Sequence, residues 1–345
     1  MTENSEHTLT PTTLDELGTT VYPHAQCGDT FGYVVDPNGF LDLNNTTTTW
    51  VERATEQPTG EEQYLALVNR VLDVGVMIPN ERTGYGCLTV IDGDMTYDCS
   101  DSKLHILTTR KMNTTSAIGE FLGYLRGYDS AAQFRAIGCN TWNANANENK
   151  AWLANPARKG EDDMGRAYGP QLRDWKAHNG KSIDHLRMVY EDLRQGIDNR
   201  SEIMTFLNPG ERDIACLNSC MHTHTFSILG GTLYLTSYQR SSDVLLGTAF
   251  NMVQCCWFLL VMAKITGLRP GKVFHKNVNV HIYENQLDKL MSSGHLDRAP
   301  YDTPTLTIPD RIKTLDDLLS EETHPNDFVL SNYQHHEAIS YPFAV

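Results

Sequence analysis

The sequence lacks the marks of several protein classes. No CxxC pair occurs among its eight cysteines (Cys27, Cys87, Cys99, Cys139, Cys216, Cys220, Cys255 and Cys256), and two of these are adjacent inside an apolar run. A chain of 345 residues that is 40% hydrophobic can bury a large core without a disulfide framework, so reduced thiols are expected. The longest apolar stretch, MVQCCWFLLVMA, falls short of the roughly 18 residues that a membrane span needs. The first residues, MTENSEHTLTPTT, are polar and acidic, without the basic-then-apolar order of a signal peptide, and a soluble cytoplasmic protein is expected. A net charge of −15 argues against a protein that grips DNA or RNA along a basic groove. It leaves room for a mononucleotide, because a few local arginines suffice for one phosphate.

Residues 1–60 are rich in Thr, Asn, Asp, Gly and Pro and read as a polar extension of unknown role, leaving 61–345 as the main domain. A helix is expected from Glu61, where Tyr64, Leu65, Leu67, Val68, Val71 and Leu72 recur at helical spacing. Short strands are expected between Cys87 and Cys99 and again from His105 to Thr109, then a helix over 114–126 capped by Thr114 or Thr115. The Asn-rich stretch 137–165 reads as a long functional loop. Strands follow at 202–207, 222–229 and 232–239, with Gly230-Gly231 as a tight hairpin turn. An apolar helix over 248–266 ends at Gly267, and a last strand covers 273–283. Strands and helices mix without βαβ regularity, so the class is α+β.

Cys220, His222 and His224 would share one face of a strand, so a Cys/His metal site is one reading. No fourth ligand stands at a suitable spacing, and a buried thiol beside ordinary strand histidines is the plainer alternative. What distinguishes Cys220 is the sequence after it: Tyr238-Gln239-Arg240-Ser241-Ser242-Asp243, then Leu246-Gly247 and Phe250-Asn251. These resemble the nucleophile, YQRSxD and LGxPFN segments of the thymidylate synthase family, with Ala249 in place of the family's proline. Glu81-Arg82-Thr83-Gly84 looks like the family's phosphate loop, Glu120-Phe121-Leu122 its ELLWFL helix, and Tyr168-Gly169 its YG pair. His281-Ile282-Tyr283 matches an HxY element and Pro342-Phe343-Ala344-Val345 the C-terminal tail, so the resemblance spans about residues 62–345.

The resemblance implies an α+β sandwich on a large twisted mixed sheet, dimerised through that sheet. It also implies an enzyme that carries a one-carbon unit from 5,10-methylenetetrahydrofolate to C5 of dUMP. The residue types suit that chemistry. C5 of uracil becomes nucleophilic only after a thiolate adds at C6, and a cysteine thiol is only slightly ionised at neutral pH without cationic help. By the resemblance, Cys220 is the nucleophile, with Arg240 near both sulfur and phosphate. Arg82 and Ser241 would also bind phosphate, as would Arg200 reaching across to the partner subunit. Asn251 would read the base, and His281 and Tyr283 would hold the sugar hydroxyl. Glu120 and Tyr168 would manage protons. Asp243, Trp142, Leu246, Gly247, Phe250 and the tail residue Ala344 would bind the folate; no resident metal is implied.

The departures suggest which product forms. Ser219 and Met221 flank the nucleophile where the family has proline and histidine, and Ser201 replaces a second cross-subunit arginine. Asn145 replaces a tryptophan and Thr225 a glutamine. Such changes around the reacting centre favour capture of the C5 methylene by water, giving 5-hydroxymethyl-dUMP as in phage-type hydroxymethylases, which act in the host cytoplasm. The alternatives are dTMP with dihydrofolate, hydroxymethylation of dCMP or CMP, and a nucleotide-binding regulatory relative without activity.

Overall fold

The computed structural model describes residues 58–81 and 83–343, together with three short strands nearer the N-terminus. Those strands, Thr12–Leu14, Thr19–Val21 and Val34–Val35, pair antiparallel within a unit that spans Met1–Gln57. The other residues to which the polar-extension reading applies lie largely outside the described ones.

The second unit, Pro58–Val345, has the α+β architecture expected. It is built on a seven-stranded mixed sheet with helices packed against it. Helix α1 (Gly60–Val74) begins in a capping box: the Thr59 hydroxyl accepts the Glu62 N–H at 3.2 Å, and the Glu62 carboxylate accepts the Thr59 N–H at 2.7 Å. Its buried face is Tyr64, Leu67, Val68 and Val71, as the spacing required. The strands are β1 (Val76–Ile78), β2 (Cys87–Ile91), β3 (Met95–Asp98), β4 (Ile203–Thr205), β5 (Met221–Leu229), β6 (Thr232–Asp243) and β7 (Arg269–Tyr283). Their order is β1-β2-β7-β6-β5-β4, with β3 pairing β7 beside β2. Gly230 and Gly231 turn β5 into β6 with φ of 57° and 75°, the left-handed pair that a two-residue hairpin of this kind needs.

Helix α2 (Thr114–Arg126) starts one residue earlier than a threonine cap would allow. Asn113 is the cap, its Oδ1 accepting the Ser116 N–H at 3.0 Å, while Thr114 and Thr115 lie inside the helix. The expected strand at His105–Thr109 does not form. Thr108 and Thr109 give their N–H groups to the Glu61 carboxylate, both at 2.7 Å, so a side chain takes the bonds a neighbouring strand would have taken. The β-branched composition there reflects burial; Leu104, Ile106 and Leu107 are core residues. The stretch 137–165 is not a bare loop either, since it holds short helices at Asn143–Asn147 and Lys150–Leu153. Asn149 caps the second of them by accepting the Ala151 and Trp152 N–H groups.

Strand β6 runs four residues past its expected end because it pairs in parallel with β7, Ser241 opposite Asn279 and Asp243 opposite His281. The crossover between these two strands is a π-helical turn, Val244–Thr248, followed by α3 (Ala249–Thr266). The segment Val244–Thr266 has the length and apolarity of a membrane span, but 78% of its most apolar window is buried inside the fold. It is a core helix. Phe258 on α3 packs 4.9 Å from Phe121 on α2 and 5.3 Å from Phe226 on β5, which joins helices to sheet. Helix α3 stops where Gly267 takes φ 75° and gives its N–H to the Ala263 and Lys264 carbonyls. Helix α4 (Glu284–Ser292) follows β7 directly.

Replacing Asn113→Ala removes the α2 cap and should lower unfolding stability by about 1 kcal/mol. The urea midpoint should fall with the slope of the transition unchanged.

Candidate active site

A cleft of about 1100 Å³ opens where β5 begins and β6 and β7 end, beside α2 and the start of α3. Its wall includes Cys220, Arg240, Ser241, Asp243, Asn251, His281, Tyr283, Glu120, Tyr168, Trp142, Leu246, Gly247 and Phe250. These sequence-predicted residues therefore share one cavity. Arg200 does not line it: this residue is exposed on a turn, at φ 66°. Arg82 and Ala344 lie outside the described residues, although Glu81 and Phe343 beside them reach the cleft.

Cys220 sits immediately before β5. Its carbonyl accepts the Arg240 N–H at 2.9 Å, and its own N–H goes to the Tyr168 hydroxyl at 2.8 Å. The thiol is half-buried, whereas the other described cysteines are buried. Arg240 reaches back over it. Its Nε and Nη2 donate to the Ser219 and Asn218 carbonyls at 3.1 and 2.8 Å, and Nη2 lies 3.9 Å from the Cys220 sulfur. A guanidinium held there favours a thiolate over a thiol and still leaves a cation exposed to the cleft.

Tyr168 has φ 49° and ψ −82°, a strained backbone that costs on the order of 1–3 kcal/mol. It is held there by stacking on Tyr124, with ring centroids 4.2 Å apart and planes at 7°, and by the bond from Cys220. Burial first, then nearby Cys220 and Glu120, push its hydroxyl well above the ordinary tyrosine value, so it stays protonated.

Glu120 projects from α2 with Thr141 donating to Oε1 and Gln254 donating to Oε2 at 2.7 Å. Burial raises its carboxyl pKa, while these hydrogen bonds pull the other way. A raised carboxyl suits proton exchange near neutral pH. Gln254 and Asn251 lie one turn apart on α3, and Asn251 Nδ2 donates to Gln254 Oε1 at 2.8 Å. Asn251 Oδ1 accepts from Gln239 Nε2 at 2.9 Å, and Gln239 Oε1 meets His275 Nε2 at 2.8 Å. A line of amides thus runs from the buried His275 to Glu120. Sequence reasoning missed Gln239 and Gln254 as members of the site, although Gln254 follows Asn251 at helical spacing.

Asp243 caps the π-helical turn, Oδ1 accepting the Leu245 and Leu246 N–H groups at 3.1 and 3.2 Å, and Oδ2 accepting from Gln286 at 2.9 Å. Burial raises its carboxyl to about 6, against the pull of those hydrogen bonds and of Arg110. His281 stands edge-on to Tyr283 at 5.1 Å, its Nδ1 2.9 Å from Asn279 Oδ1. The neighbouring histidines do not join Cys220. A bulge between Met221 and Thr223 breaks the alternation that would have aligned them. His224 is fully buried beside Phe121, Phe206 and Phe258, and that burial holds its imidazole neutral, with a pKa near 3. Among the described residues no group of three or more His, Cys, Asp or Glu could hold a metal ion.

A half-buried thiol under a guanidinium, a half-buried carboxyl and a side-chain amide thus face one cleft, an arrangement suited to nucleophilic chemistry. The thymidylate synthase family model matches residues 62–345, and the chain belongs to that family. It is a folate-dependent one-carbon transferase that uses 5,10-methylenetetrahydrofolate as cosubstrate. Among its relatives, the thymidylate synthases of Idiomarina loihiensis and Pasteurella multocida are each 57% identical over 284 residues, covering 82% of this chain and 100% of theirs. That of Haemophilus influenzae is 56% identical over the same length and coverage.

These relatives overturn the hydroxymethylase expectation, and the geometry explains why the departures misled. Ser219 is buried and donates to the Phe206 carbonyl at 2.7 Å. Met221 is buried against Cys255, their sulfurs 3.6 Å apart. Neither residue, nor Thr225 or Ser201, lines the cleft. Asn145 does, but with only 7% of its surface exposed it wets the wall little.

Brief iodoacetamide treatment should alkylate Cys220 ahead of the other described cysteines, and Arg240→Ala should slow that reaction. Peptide mass mapping reads both; labelling that is fastest at Cys139 or Cys216 would contradict this geometry.

Proposed function

We propose that this chain methylates dUMP at C5, with 5,10-methylenetetrahydrofolate as donor, and releases dTMP and dihydrofolate. The observation that carries this reading is the 57% identity to proteins named thymidylate synthase across their whole length. The lining of the cleft supports it.

Cys220 adds to C6 as the thiolate, forming the S–C6 bond and leaving C5 as the nucleophilic carbon. Arg240, with Ser241 and Arg82, takes the phosphate, and its proximity to the sulfur ties anion binding to thiolate formation. Asn251 offers an acceptor to N3–H and a donor to O4, the pattern of uracil and the reverse of cytosine. Glu120 exchanges protons with O4 through water, and Tyr168, which keeps its own proton, orients a water that takes the proton from C5. His281 and Tyr283 take the 3′-hydroxyl. The folate supplies the methylene carbon to C5, and loss of the C5 proton expels tetrahydrofolate from that carbon. The hydride of tetrahydrofolate then reduces the exocyclic methylene to methyl, and the Cys220 sulfur leaves C6 as the C5–C6 double bond reforms and dihydrofolate departs. Asp243 accepts hydrogen bonds from the pterin, while Trp142, Leu246 and Phe250 supply flat apolar walls. Half-buried Asp243 among apolar neighbours fits a ring with N–H donors.

The active form is proposed to be a homodimer joined through the sheet. The face of β6 turned away from α3 carries Tyr234 and Tyr238, and the same face shows Val278 from β7, 52% exposed. Exposed Arg200, outside its own cleft, is then free to reach the partner's phosphate site. A buried core helix and reduced thiols fit a cytoplasmic enzyme.

Incubation with dUMP and 5,10-methylenetetrahydrofolate should give a product heavier than dUMP by one CH₂, with dihydrofolate absorbance rising in step. A product heavier by CH₂O without dihydrofolate would overturn the proposal. Cys220→Ser should reduce turnover by at least about 1,000-fold, with dUMP binding retained by calorimetry. Asn251→Asp should shift preference toward dCMP in competition assays; unchanged selectivity would remove Asn251 as the base reader.

A further inference from the structure

Tyr341 and Phe343, near the end of the chain, both line the cleft. What holds this tail in the wall is a directed chain of hydrogen bonds that begins in the first turn of α1. The Glu61 carboxylate, 5% exposed, accepts the Thr108 N–H and hydroxyl and the Thr109 N–H and hydroxyl, at 2.7, 2.6, 2.7 and 2.7 Å. Since a carboxylate only accepts, the Thr109 hydroxyl spends its proton on Glu61 and must accept from its other neighbour. That neighbour is Nε2 of His295, 3.0 Å away. With the proton on Nε2, His295 Nδ1 is bare and accepts from the Tyr341 hydroxyl at 2.8 Å. The direction of each bond follows from the one before it.

His295 is completely buried, and burial together with Arg110 and Arg298 lowers its pKa to about 3, so it remains the neutral link this order requires. The Arg110 guanidinium carbon lies 5.4 Å from the centroid of the Tyr341 ring, and its Nη2 donates to the Leu245 carbonyl beside cleft residue Leu246. One residue along, the Pro342 carbonyl accepts from Gln286 Nε2 at 3.1 Å, the same nitrogen that bonds Asp243 Oδ2. The Ser293 hydroxyl also lies against the Tyr341 phenol.

We propose that Tyr341 is the latch of a C-terminal strap, its hydroxyl fastened through His295 and Thr109 to Glu61, and that the latch positions the tail in the Asp243 half of the cleft. Tyr341 and His295 are then positioning residues for the folate-dependent step. That the Asp243 half takes the folate rests on the function proposed above; the fastening itself does not.

Tyr341→Phe keeps the ring over Arg110 and removes only the proton donor. Hydrogen exchange of residues 338–343 should quicken by up to about tenfold, the scale of one lost hydrogen bond. The KM for 5,10-methylenetetrahydrofolate should rise by a comparable factor, with kcat within about twofold and dUMP affinity unchanged. Thr109→Val, which cuts the chain in the middle, should give the same pattern. Tail exchange at the wild-type rate in Tyr341→Phe would overturn the latch. So would faster exchange throughout the chain with a lowered melting temperature, since the hydroxyl would then be general structural support. If the wild-type protein proved inactive on dUMP, the function reading would fail while tail exchange still decided the latch.

Discussion

A single backbone hydrogen bond sets the geometry on which the site depends: the Arg240 N–H to the Cys220 carbonyl, at 2.9 Å. It fixes the point where β5 begins against the point on β6 where Gln239, Arg240, Ser241 and Asp243 follow one another. The strand's alternation sends Gln239 inward to the amide line and turns Arg240 outward to the cleft. The parallel pairing of β6 with β7 then places His281 opposite Asp243. A slip of one residue in β6 would exchange these two faces and remove both the guanidinium and the inner amide at once. The long crossover through α3 is what a parallel neighbour demands, and it delivers Asn251 and Gln254 to the same end of the sheet.

The polar interior is as constrained as the register. Gln254 gives its Nε2 protons to Glu120 and to the Ala117 carbonyl, both acceptors, so its oxygen must face Asn251. Asn251 consequently turns its NH₂ toward Gln254 and its oxygen toward Gln239. Gln239 is held in turn by His275, which meets the Tyr97 hydroxyl at 3.0 Å on its other side. Turning one amide over would leave two buried donors facing each other and two acceptors facing each other, at a cost on the order of 1–3 kcal/mol for each group stranded. The amide that is proposed to read the base is thereby set before any base arrives.

Much of this was legible in the sequence, for identifiable reasons. Helical spacing marked α1, a Gly-Gly turn marked the β5–β6 hairpin, and Gly267 marked the end of α3, because each is a local rule with a local cause. The collection of Cys220, Arg240, Asp243 and Asn251 into one cleft was implied by the family resemblance that their motifs carry. What escaped were features decided by partners far along the chain. Thr108 and Thr109 look like strand residues until Glu61, 47 and 48 positions away, claims their backbone. The extension of β6 to Asp243 depends on β7, and the parts played by Gln239, Gln254 and Gln286 depend on which buried groups they meet.

The misreading of the product has the same root. A residue beside a nucleophile in sequence is a neighbour of its backbone, and on a strand the next side chain points to the opposite face. Ser219 and Met221 flank Cys220, yet one bonds a carbonyl inside the fold and the other packs on a buried thiol. Neither can admit water to a reacting carbon. In the proposed reaction water access is set instead by what closes the cleft over the folate half: Trp142, 3% exposed against Tyr124 and Tyr168, and the tail side chains at 341 and 343. In the proposed reaction those wall residues stand between solvent and the carbon to be transferred, the condition that methyl transfer requires. Side chains that face away from that space leave the partition between hydride and water unchanged, however unusual they look in a sequence.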